Sequence, residues 1–168
     1  RALEGDACRI EEIAPGEYDH ILLMGPLYHL LREEERVRAV EGCLSLLKPG
    51  GILFAAFISI YADMIDILRE YPQLLLTEDI SFLLNNTAYA GQTFTQAYFA
   101  RIGDVDPFFE RFPLKKLHLV GSESVLAPFE HQVLAQPPEV IDRCIEFAKQ
   151  MCEREELLPY TEHLLYIG

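Results

Sequence analysis

The sequence predicts an α/β domain built on a mostly parallel sheet. Two short apolar runs, residues 19–24 and 52–59, have the length and composition of strands that are buried on both faces. Residues 31–48 between them have the spacing of an amphipathic helix, and Pro49-Gly50-Gly51 is a turn signal. A strand, a helix, a tight turn and a strand form a βαβ unit, so we expect the two strands to be parallel neighbours.

The first six residues have a composition that is typical of the carboxyl end of a strand. Residues 1–6 read Arg-Ala-Leu-Glu-Gly-Asp, which suits the last part of a strand and its exit loop. Because residue 1 is not methionine, we expect the chain to begin in the middle of a domain.

The helix between the two apolar strands has one apolar stripe and charged ends. Apolar residues recur at helical spacing, at Val37, Val40, Leu44 and Leu47. Residues 33–35 are all glutamate and crowd the first turn, and Lys48 lies in the expected last turn. The helix dipole favours both placements.

Residues 60–113 are predicted to form a helical insert or lid over the ligand edge of the sheet. One helix should end before Pro72, and Thr77 could cap a second, which carries Ile80, Phe82, Leu83 and Leu84. Asp106-Pro107 has the pattern of a helix N-cap and first position.

The C-terminal third predicts two strands around a long helix. Leu117 and Leu119 alternate with polar residues, which favours a strand exposed on one face. Pro137-Pro138-Glu139 opens an amphipathic helix whose apolar face is Ile141, Cys144, Ile145, Ala148, Met151 and Cys152. The closing residues 163–168, HLLYIG, read as a final strand. The whole order is β-β-α-β, the insert, then β-α-β.

Composition excludes several classes of function. The chain has 168 residues with a formal net charge of −13, and its densest basic pair is Lys115-Lys116, so nucleic acid is not an expected partner. No apolar run approaches the roughly 20 residues that span a bilayer, so we expect no membrane partner. The four cysteines, Cys8, Cys43, Cys144 and Cys152, form no CxxC pair or zinc pattern. We expect buried thiols, no metal and a cytoplasmic location.

The first apolar strand ends in a group of residues suited to ligand binding. Ligands of open α/β sheets collect beyond the carboxyl ends of the strands, where Met24-Gly25-Pro26 lies. Gly25 lets the backbone approach a ligand closely, and Tyr28 and His29 should project at the mouth of the site. Asp6 should open onto the same edge and accept a hydrogen bond from an amino group. An alternative is that Gly25-Pro26 is only a turn and Asp6 only a loop residue.

Residues 18–59 resemble the second half of a class I S-adenosylmethionine-dependent methyltransferase. The resemblance rests on an aspartate-led strand, the motif MGPLYH, a helix, the motif LKPGG and a second strand. It extends to FTQAYFAR at residues 94–101, which is similar to a stretch of members that act on small molecules. It implies a Rossmann-like methyltransferase sheet in which the last strand is antiparallel.

The same resemblance implies a set of site residues and a cofactor. Asp6 and Ala7 match the segment that meets the adenine of S-adenosylmethionine, and Met24 and Gly25 match the position that lies along the cofactor. Tyr28 and His29 match the helix start that faces it. His29 is the candidate general base, because histidine titrates near neutral pH, although a packing role against the cofactor is the alternative. Tyr89 and Tyr98 are candidates for the acceptor pocket, or for core or lid packing.

One family feature is absent from the sequence. The glycine-rich loop after the first strand, and the acidic residue after the second, have no counterpart. We therefore expect residues 1–168 to be a partial methyltransferase domain that lacks its first two strands. The strand at 19–24 would then keep an open apolar edge and could make the chain a homo-oligomer.

Three functional readings follow. The first is the C-terminal part of a methyltransferase acting on a small molecule. The second is a non-catalytic binding or assembly module on the same fold. The third, an unrelated doubly wound nucleotide- or flavin-binding domain, would need a phosphate loop that the sequence lacks. Asp104 and Asp106 could suggest a metal, but a helix cap is the expected role.

Overall fold

The computed structural model describes residues 2–78 and 97–168, together with residues 80, 85, 88 and 89, and for Ala88 and Tyr89 it describes the backbone. Strands in this part of the chain form one sheet. They are β1 (Tyr18–Leu23), β2 (Leu47–Ser59), β3 (Ala88–Tyr89), β4 (Ala97–Ala100), β5 (His118–Gly121) and β6 (His163–Ile167).

Helices alternate with the strands along the chain. The α-helices are α1 (Ile10–Ile13), α2 (Pro26–His29), α3 (Glu33–Leu46), α4 (Ile60–Glu70), α5 (Ile102–Phe109), α6 (Glu130–Leu134) and α7 (Pro138–Met151). Short 3-10 helices span Ala7–Arg9, Pro72–Leu76, Ser124–Phe129 and Glu155–Tyr160.

The sheet confirms the predicted fold class. Its order is β3-β4-β2-β6-β5, and β1 also pairs with β2. Strands β1 and β4 run parallel to β2, β6 runs antiparallel to β2, and β5 runs antiparallel to β6. Four strands, β1, β2, β4 and β5, therefore share one direction, and the last strand opposes them. The fold is an α/β sheet of the Rossmann-like kind, with an antiparallel final strand.

The predicted βαβ unit is β1, α2–α3 and β2. Leu23 of β1 pairs with Ala55 of β2 in parallel register, and the crossover between the strands contains α3. Because Ala55 also pairs with Tyr166, β1 and β6 lie on opposite edges of β2. Ile58 pairs with Phe99 and with His163, which places β4 beyond β1 on the same edge. The carboxyl ends of β1, β2 and β4 therefore approach one region.

The core is centred on β2, β6 and α5. Leu27, Leu53 and Leu164 are fully buried. Phe109 of α5 stacks on Tyr166 of β6 with ring centroids 3.7 Å apart and planes 10° apart. All five residues belong to one cluster of buried side chains, so helices and sheet share a single apolar core.

Two predicted element boundaries were wrong. Residues 2–6 form no strand; instead Asp6 caps the 3-10 helix at Ala7–Arg9 by accepting a hydrogen bond from Cys8 N at 2.9 Å. Lys48 does not lie in the last helical turn, because β2 already begins at Leu47. Its Nζ donates to Asp19 Oδ1 at 2.9 Å across the β1–β2 pair.

The prediction that Asp106-Pro107 opens a helix was also wrong. Helix α5 begins at Ile102 after the extended Arg101, and Pro107 lies inside it. Val105 is 1% exposed, so burial of its side chain extends the helix upstream of the proline. Asp106 instead pairs with Lys116 Nζ at 2.5 Å.

Burial differs from the prediction at β1 and α7. Strand β1 is covered on one face, since Leu23 is buried whereas Leu22 is 68% exposed, and no described layer covers the second face. On the predicted apolar face of α7 only Ala148 is buried. Of the four cysteines, Cys43 is buried and Cys8, Cys144 and Cys152 are partly exposed.

The segment 60–113 is not helical throughout, because it contributes β3 and β4 as well as α4 and α5. Helix α4 ends at Glu70, as predicted from Pro72. The predicted helix at 80–84 and residues 94–96 of the FTQAYFAR stretch lie mostly or wholly outside the described residues. That the segment covers a ligand stays a prediction.

Candidate ligand site at the carboxyl edge of the sheet

The carboxyl end of β1 turns sharply into a short helix. Leu23 is buried, the next residue, Met24, is 53% exposed, and Gly25 follows with φ 134° and ψ −58°. That conformation is one that glycine adopts readily and other residues adopt with strain. Pro26 then occupies the first position of α2, where its missing N–H costs nothing. Leu27, fully buried, anchors the turn to the core.

Tyr28 and His29 stand beside this turn, as the sequence predicted from chain order. Tyr28 N donates to Gly25 O at 3.2 Å, and the Tyr28 and His29 ring centroids are 4.9 Å apart. A Cβ built on Gly25 would lie 3.7 Å from the Tyr28 hydroxyl oxygen. The absent side chain of Gly25 therefore leaves its backbone open next to the phenol, while Tyr28 is half-buried and His29 is exposed.

A histidine–glutamate pair, missed in the sequence analysis, lies at the same edge. Glu123 follows β5, and His163 opens β6; because β6 is antiparallel, its first residue lies level with the carboxyl ends of the other strands. Glu123 Oε1 is 2.8 Å from His163 Nδ1. Glu123 Oε2 accepts from Thr161 Oγ1 at 2.8 Å, from His163 N at 2.9 Å and from Glu162 N at 3.1 Å.

This network polarises both members of the pair. Partial burial on its own would raise the pKa of Glu123, but the hydrogen bonds from His163 and Thr161 outweigh it and lower the pKa to about 2. The hydrogen bond to Glu123 raises the pKa of His163 above its usual value of 6.5. Both shifts favour the charged pair, an imidazolium beside a carboxylate.

Tyr28 connects the predicted residues to this pair. Its ring lies 6.4 Å from the His163 ring, edge to face. The rings of His29, Tyr28 and His163 therefore follow one another, and we call them the ring row. Gly25 lies beside the hydroxyl of Tyr28. Two segments 135 residues apart in sequence, at Tyr28 and His163, meet at one point of the sheet edge.

Arg36 fixes the loop that follows the ring row. It is 5% exposed, and its Nη1 donates to Leu30 O at 2.7 Å and to Leu31 O at 2.9 Å. Its guanidinium lies 3.6 Å from the centroid of the Tyr98 ring. Tyr98, predicted for the acceptor pocket, is thus half-buried between Arg36 and Phe57, in an arrangement typical of packing. Its contact with an acceptor stays a prediction.

The remaining predicted residues lie at the start of the chain and in β3. Asp6 is exposed, and its carboxylate accepts from Cys8 N at 2.9 Å. Ala7 packs against the core cluster, and the 3-10 helix that it begins lies against α3. Tyr89 pairs with Ala97 in the β3–β4 ladder; its side chain lies outside the description.

Other polar features of the described residues lie elsewhere. A cavity of about 320 Å³ is lined by the Asp106–Lys116 and His118–Glu153 pairs. His118 begins β5, so this cavity opens near the amino end of that strand. Among residues 2–78 and 97–168, no three His, Cys, Asp or Glu side chains converge in a way that could hold a metal. Within the same residues no helix is both long and apolar enough to cross a membrane.

Comparison with known proteins gives structural likenesses of low identity. No family model matches the sequence, and no curated protein matches it. The fold is similar to PKMT2 from Rickettsia typhi in complex with AdoHcy, at 15% identity and a TM-score of 0.45, covering 96% of this chain and 38% of that one. A second structure of PKMT2 from Rickettsia typhi gives 14% identity, a TM-score of 0.40 and coverage of 96% and 37%. The chain therefore spans less than two fifths of these proteins, and the fold assignment above rests on its own strand pairing.

Proposed function

We propose that this chain is the C-terminal part of an S-adenosylmethionine-dependent methyltransferase that acts on a small molecule. The observation that carries the proposal is the convergence of Gly25, Tyr28, His29 and His163 at the carboxyl edge. That edge is where α/β sheets bind nucleotides. The sequence motifs MGPLYH and LKPGG, which resemble those of class I methyltransferases, lie within the same βαβ unit.

The residues present fit one part of a nucleoside cofactor. Gly25 offers bare backbone in a conformation that a side chain would strain, beside a half-buried phenol. The exposed carboxylate of Asp6 can accept from an exocyclic amino group, and Ala7 provides a small neighbour. Met24, 53% exposed, can lie along an apolar part of the ligand. Tyr28 and His29 can stack or pack on a ring.

The chemistry divides between cofactor and protein. When bound, S-adenosylmethionine supplies a methyl group activated by a sulfonium. This chain would hold the cofactor through the Gly25 turn, position the acceptor and exclude water from the ring row. The exposed His29 remains a candidate for the base as well as for cofactor packing. The small-molecule acceptor is favoured by the net charge of −13, which disfavours nucleic acid.

We further propose that residues 1–168 form part of a larger methyltransferase domain. Among the described strands β1 pairs with β2 alone, so its other hydrogen-bonding edge has no described partner strand. A further strand would satisfy that open edge. In the isolated chain the edge would support self-association, which light scattering would detect as a mass that rises with concentration; a monomer mass at every concentration would contradict this.

The second candidate is a non-catalytic module on the same fold, favoured by the absence of a glycine-rich loop from the sequence. Titration calorimetry with S-adenosylhomocysteine separates the two. We expect binding by the protein translated from its own start codon, and weaker or no binding by the 168-residue chain. Absence of binding by both forms would favour the module.

A further inference from the structure

We propose that Nε2 of His163, supported by Glu123, accepts the proton that a small amine loses when it is methylated. The inference rests on the proposed function and deepens it, because it assigns a residue for the proton transfer and a class of acceptor. Neither His163 nor Glu123 belongs to the motifs on which the methyltransferase resemblance rests.

The first step is the orientation of the imidazole. Glu123 Oε1 lies 2.8 Å from Nδ1, and Oε2 is held by a hydroxyl and two backbone N–H groups, so the carboxylate cannot turn away. A fixed carboxylate beside Nδ1 favours the tautomer with the proton on that atom. The hydrogen bond to Glu123 favours the imidazolium, so the base is the fraction of the protein in which His163 is neutral, and in that ring Nε2 carries the free electron pair. No residue in 2–78 or 97–168 forms a hydrogen bond with Nε2.

The second step is the position of the pair. His163 is level with Ile58 near the carboxyl end of β2, and its ring meets the edge of Tyr28, which stands over Gly25. The side chain of His163 is 40% exposed, so the ring can reach a ligand and return its proton to water. The pair therefore borders the region proposed for the cofactor.

The third step is backbone strain beside Glu123. Ser124 has φ 53°, and it is the one non-glycine residue with positive φ among the described residues. It is 2% exposed, and its hydroxyl has no described partner. A strained conformation of this kind costs of the order of 1–3 kcal/mol, and such strain clusters at functional sites. Here it accompanies the turn that directs Glu123 back toward β6.

The fourth step is the local charge. The charged groups that act on the imidazole are Glu123, from the loop after β5, and Glu162, from the residue before β6, and the Tyr28 ring of α2 contacts it edge to face. Hydrogen bonding to Glu123 and the negative charges of both glutamates raise the pKa of His163. Two carboxylates beside one base attract a cation, so an ammonium suits the site better than a neutral hydroxyl.

The proposed reaction balances without another reactant. The ammonium of the acceptor gives one proton to Nε2 and keeps the electron pair of the broken N–H bond. That pair forms the new N–C bond with the methyl carbon, while the C–S bond breaks and its electrons return to sulfur. The imidazolium, stabilised by Glu123, then releases its proton to water. The products are a methylammonium, S-adenosylhomocysteine and one proton.

The test uses the protein translated from its own start codon, isotope-labelled S-adenosylmethionine and a pool of benzylamine, ethanolamine and 4-methylphenol. We expect label in an amine. His163→Gln should lower the rate by about 10²–10⁴-fold, the usual contribution of general acid–base catalysis, while S-adenosylhomocysteine affinity stays within about threefold. Glu123→Gln should lower both the rate and the pKa of His163 measured by NMR titration.

The chain supplies a matched control in its second histidine–glutamate pair. His118 Nδ1 lies 3.0 Å from Glu153 Oε2, with both side chains about half exposed. Glu153→Gln should leave the rate and the His163 titration unchanged. The inference would be overturned if His163→Gln left the rate unchanged, or lowered the rate and the S-adenosylhomocysteine affinity in parallel. It would also be overturned if Glu123→Gln left the pKa of His163 unchanged. Label only in 4-methylphenol, or in no acceptor although the wild type binds S-adenosylhomocysteine, would overturn the acceptor class. Failure of the wild type to bind would instead refute the proposed function.

Discussion

Replacement of Glu123 by glutamine should reduce stability in a pH-dependent manner. Glu123 has a pKa of about 2 in the folded protein, against 4.5 for an ordinary glutamate. At about 1.4 kcal/mol per pKa unit, that difference corresponds to roughly 3.5 kcal/mol. Because 34% of the side chain is exposed, solvent screening reduces the expected contribution to about 1–2 kcal/mol.

The sign of the pH dependence follows from the direction of the shift. The folded pKa is depressed, so the stabilisation is complete above pH 4.5 and is lost as the pH falls toward 2. The pKa of His163 is raised, so its contribution is complete below pH 6.5 and is lost as the pH rises through the folded value. The pair is therefore worth most between these limits, near pH 5–6.

Urea unfolding of the wild type and of Glu123→Gln at pH 6, 5, 4 and 3 measures the effect. We expect a loss of about 1–2 kcal/mol at pH 6, or a midpoint lower by roughly 0.5–1 M urea at the usual slope. By pH 3 the difference should be less than half as large, because Glu123 is then protonated in the unfolded chain and only the interval between pH 3 and the folded pKa of about 2 still contributes. Glu153→Gln, in an exposed pair, should cost at most about 1 kcal/mol. A difference between the wild type and Glu123→Gln that is the same at pH 6 and pH 3 would refute the reasoning.

Three further predictions concern packing, backbone strain and thiol reactivity. Leu27→Ala should lower the free energy of unfolding in urea by about 2–5 kcal/mol, because Leu27 is fully buried. Leu22→Ala, at a residue 68% exposed, should change it by no more than about 0.5 kcal/mol. Equal losses would contradict the difference in burial. Gly25→Ala should cost roughly 1–3 kcal/mol in thermal melts, because φ of Gly25 is 134°. Gly103→Ala, in a helix with open space at its Cβ, should be stabilising by up to about 1 kcal/mol. A neutral Gly25→Ala would argue against backbone strain at this residue. Burial raises the pKa of Cys43 to about 11, so its alkylation at pH 8 should be the slowest of the four cysteines until the protein unfolds, and equal rates in the folded state would oppose this.

The part of the fold that depends on local pattern was predictable. The βαβ unit follows from two apolar runs separated by a helical stripe, and the structure pairs Leu23 with Ala55 accordingly. The turn predicted at Pro49-Gly50-Gly51 was wrong, because these residues already belong to β2. The short turn at Gly25 also followed from sequence, since glycine before proline has few alternatives. These features need no knowledge of the rest of the chain.

What could not be predicted depends on contacts distant in sequence. Leu22 belongs to an apolar run and so was expected inside, but nothing in the described chain covers its face of β1. Asp106-Pro107 predicted a helix start, but α5 begins earlier, at Ile102, because burial of Val105 favours helix before the proline.

Glu123 and His163 meet only because β6 inserts antiparallel between β2 and β5. The sequence did contain a signal for this pair: Glu123 follows the predicted strand around Leu117 and Leu119, and His163 begins the final one. Its meaning depends on the strand order, which the sequence does not state.

The central claim is that the carboxyl edge around Gly25, Tyr28 and His163 binds S-adenosylmethionine. The most direct measurement is NMR mapping of amide shifts as S-adenosylhomocysteine is added to the protein translated from its own start codon. The account predicts that the largest shifts fall at Gly25, Tyr28 and His163, with little change around His118 and Glu153 at the distant cavity. Shifts centred on that cavity, or a saturating ligand that leaves the Gly25 region unmoved, would contradict it.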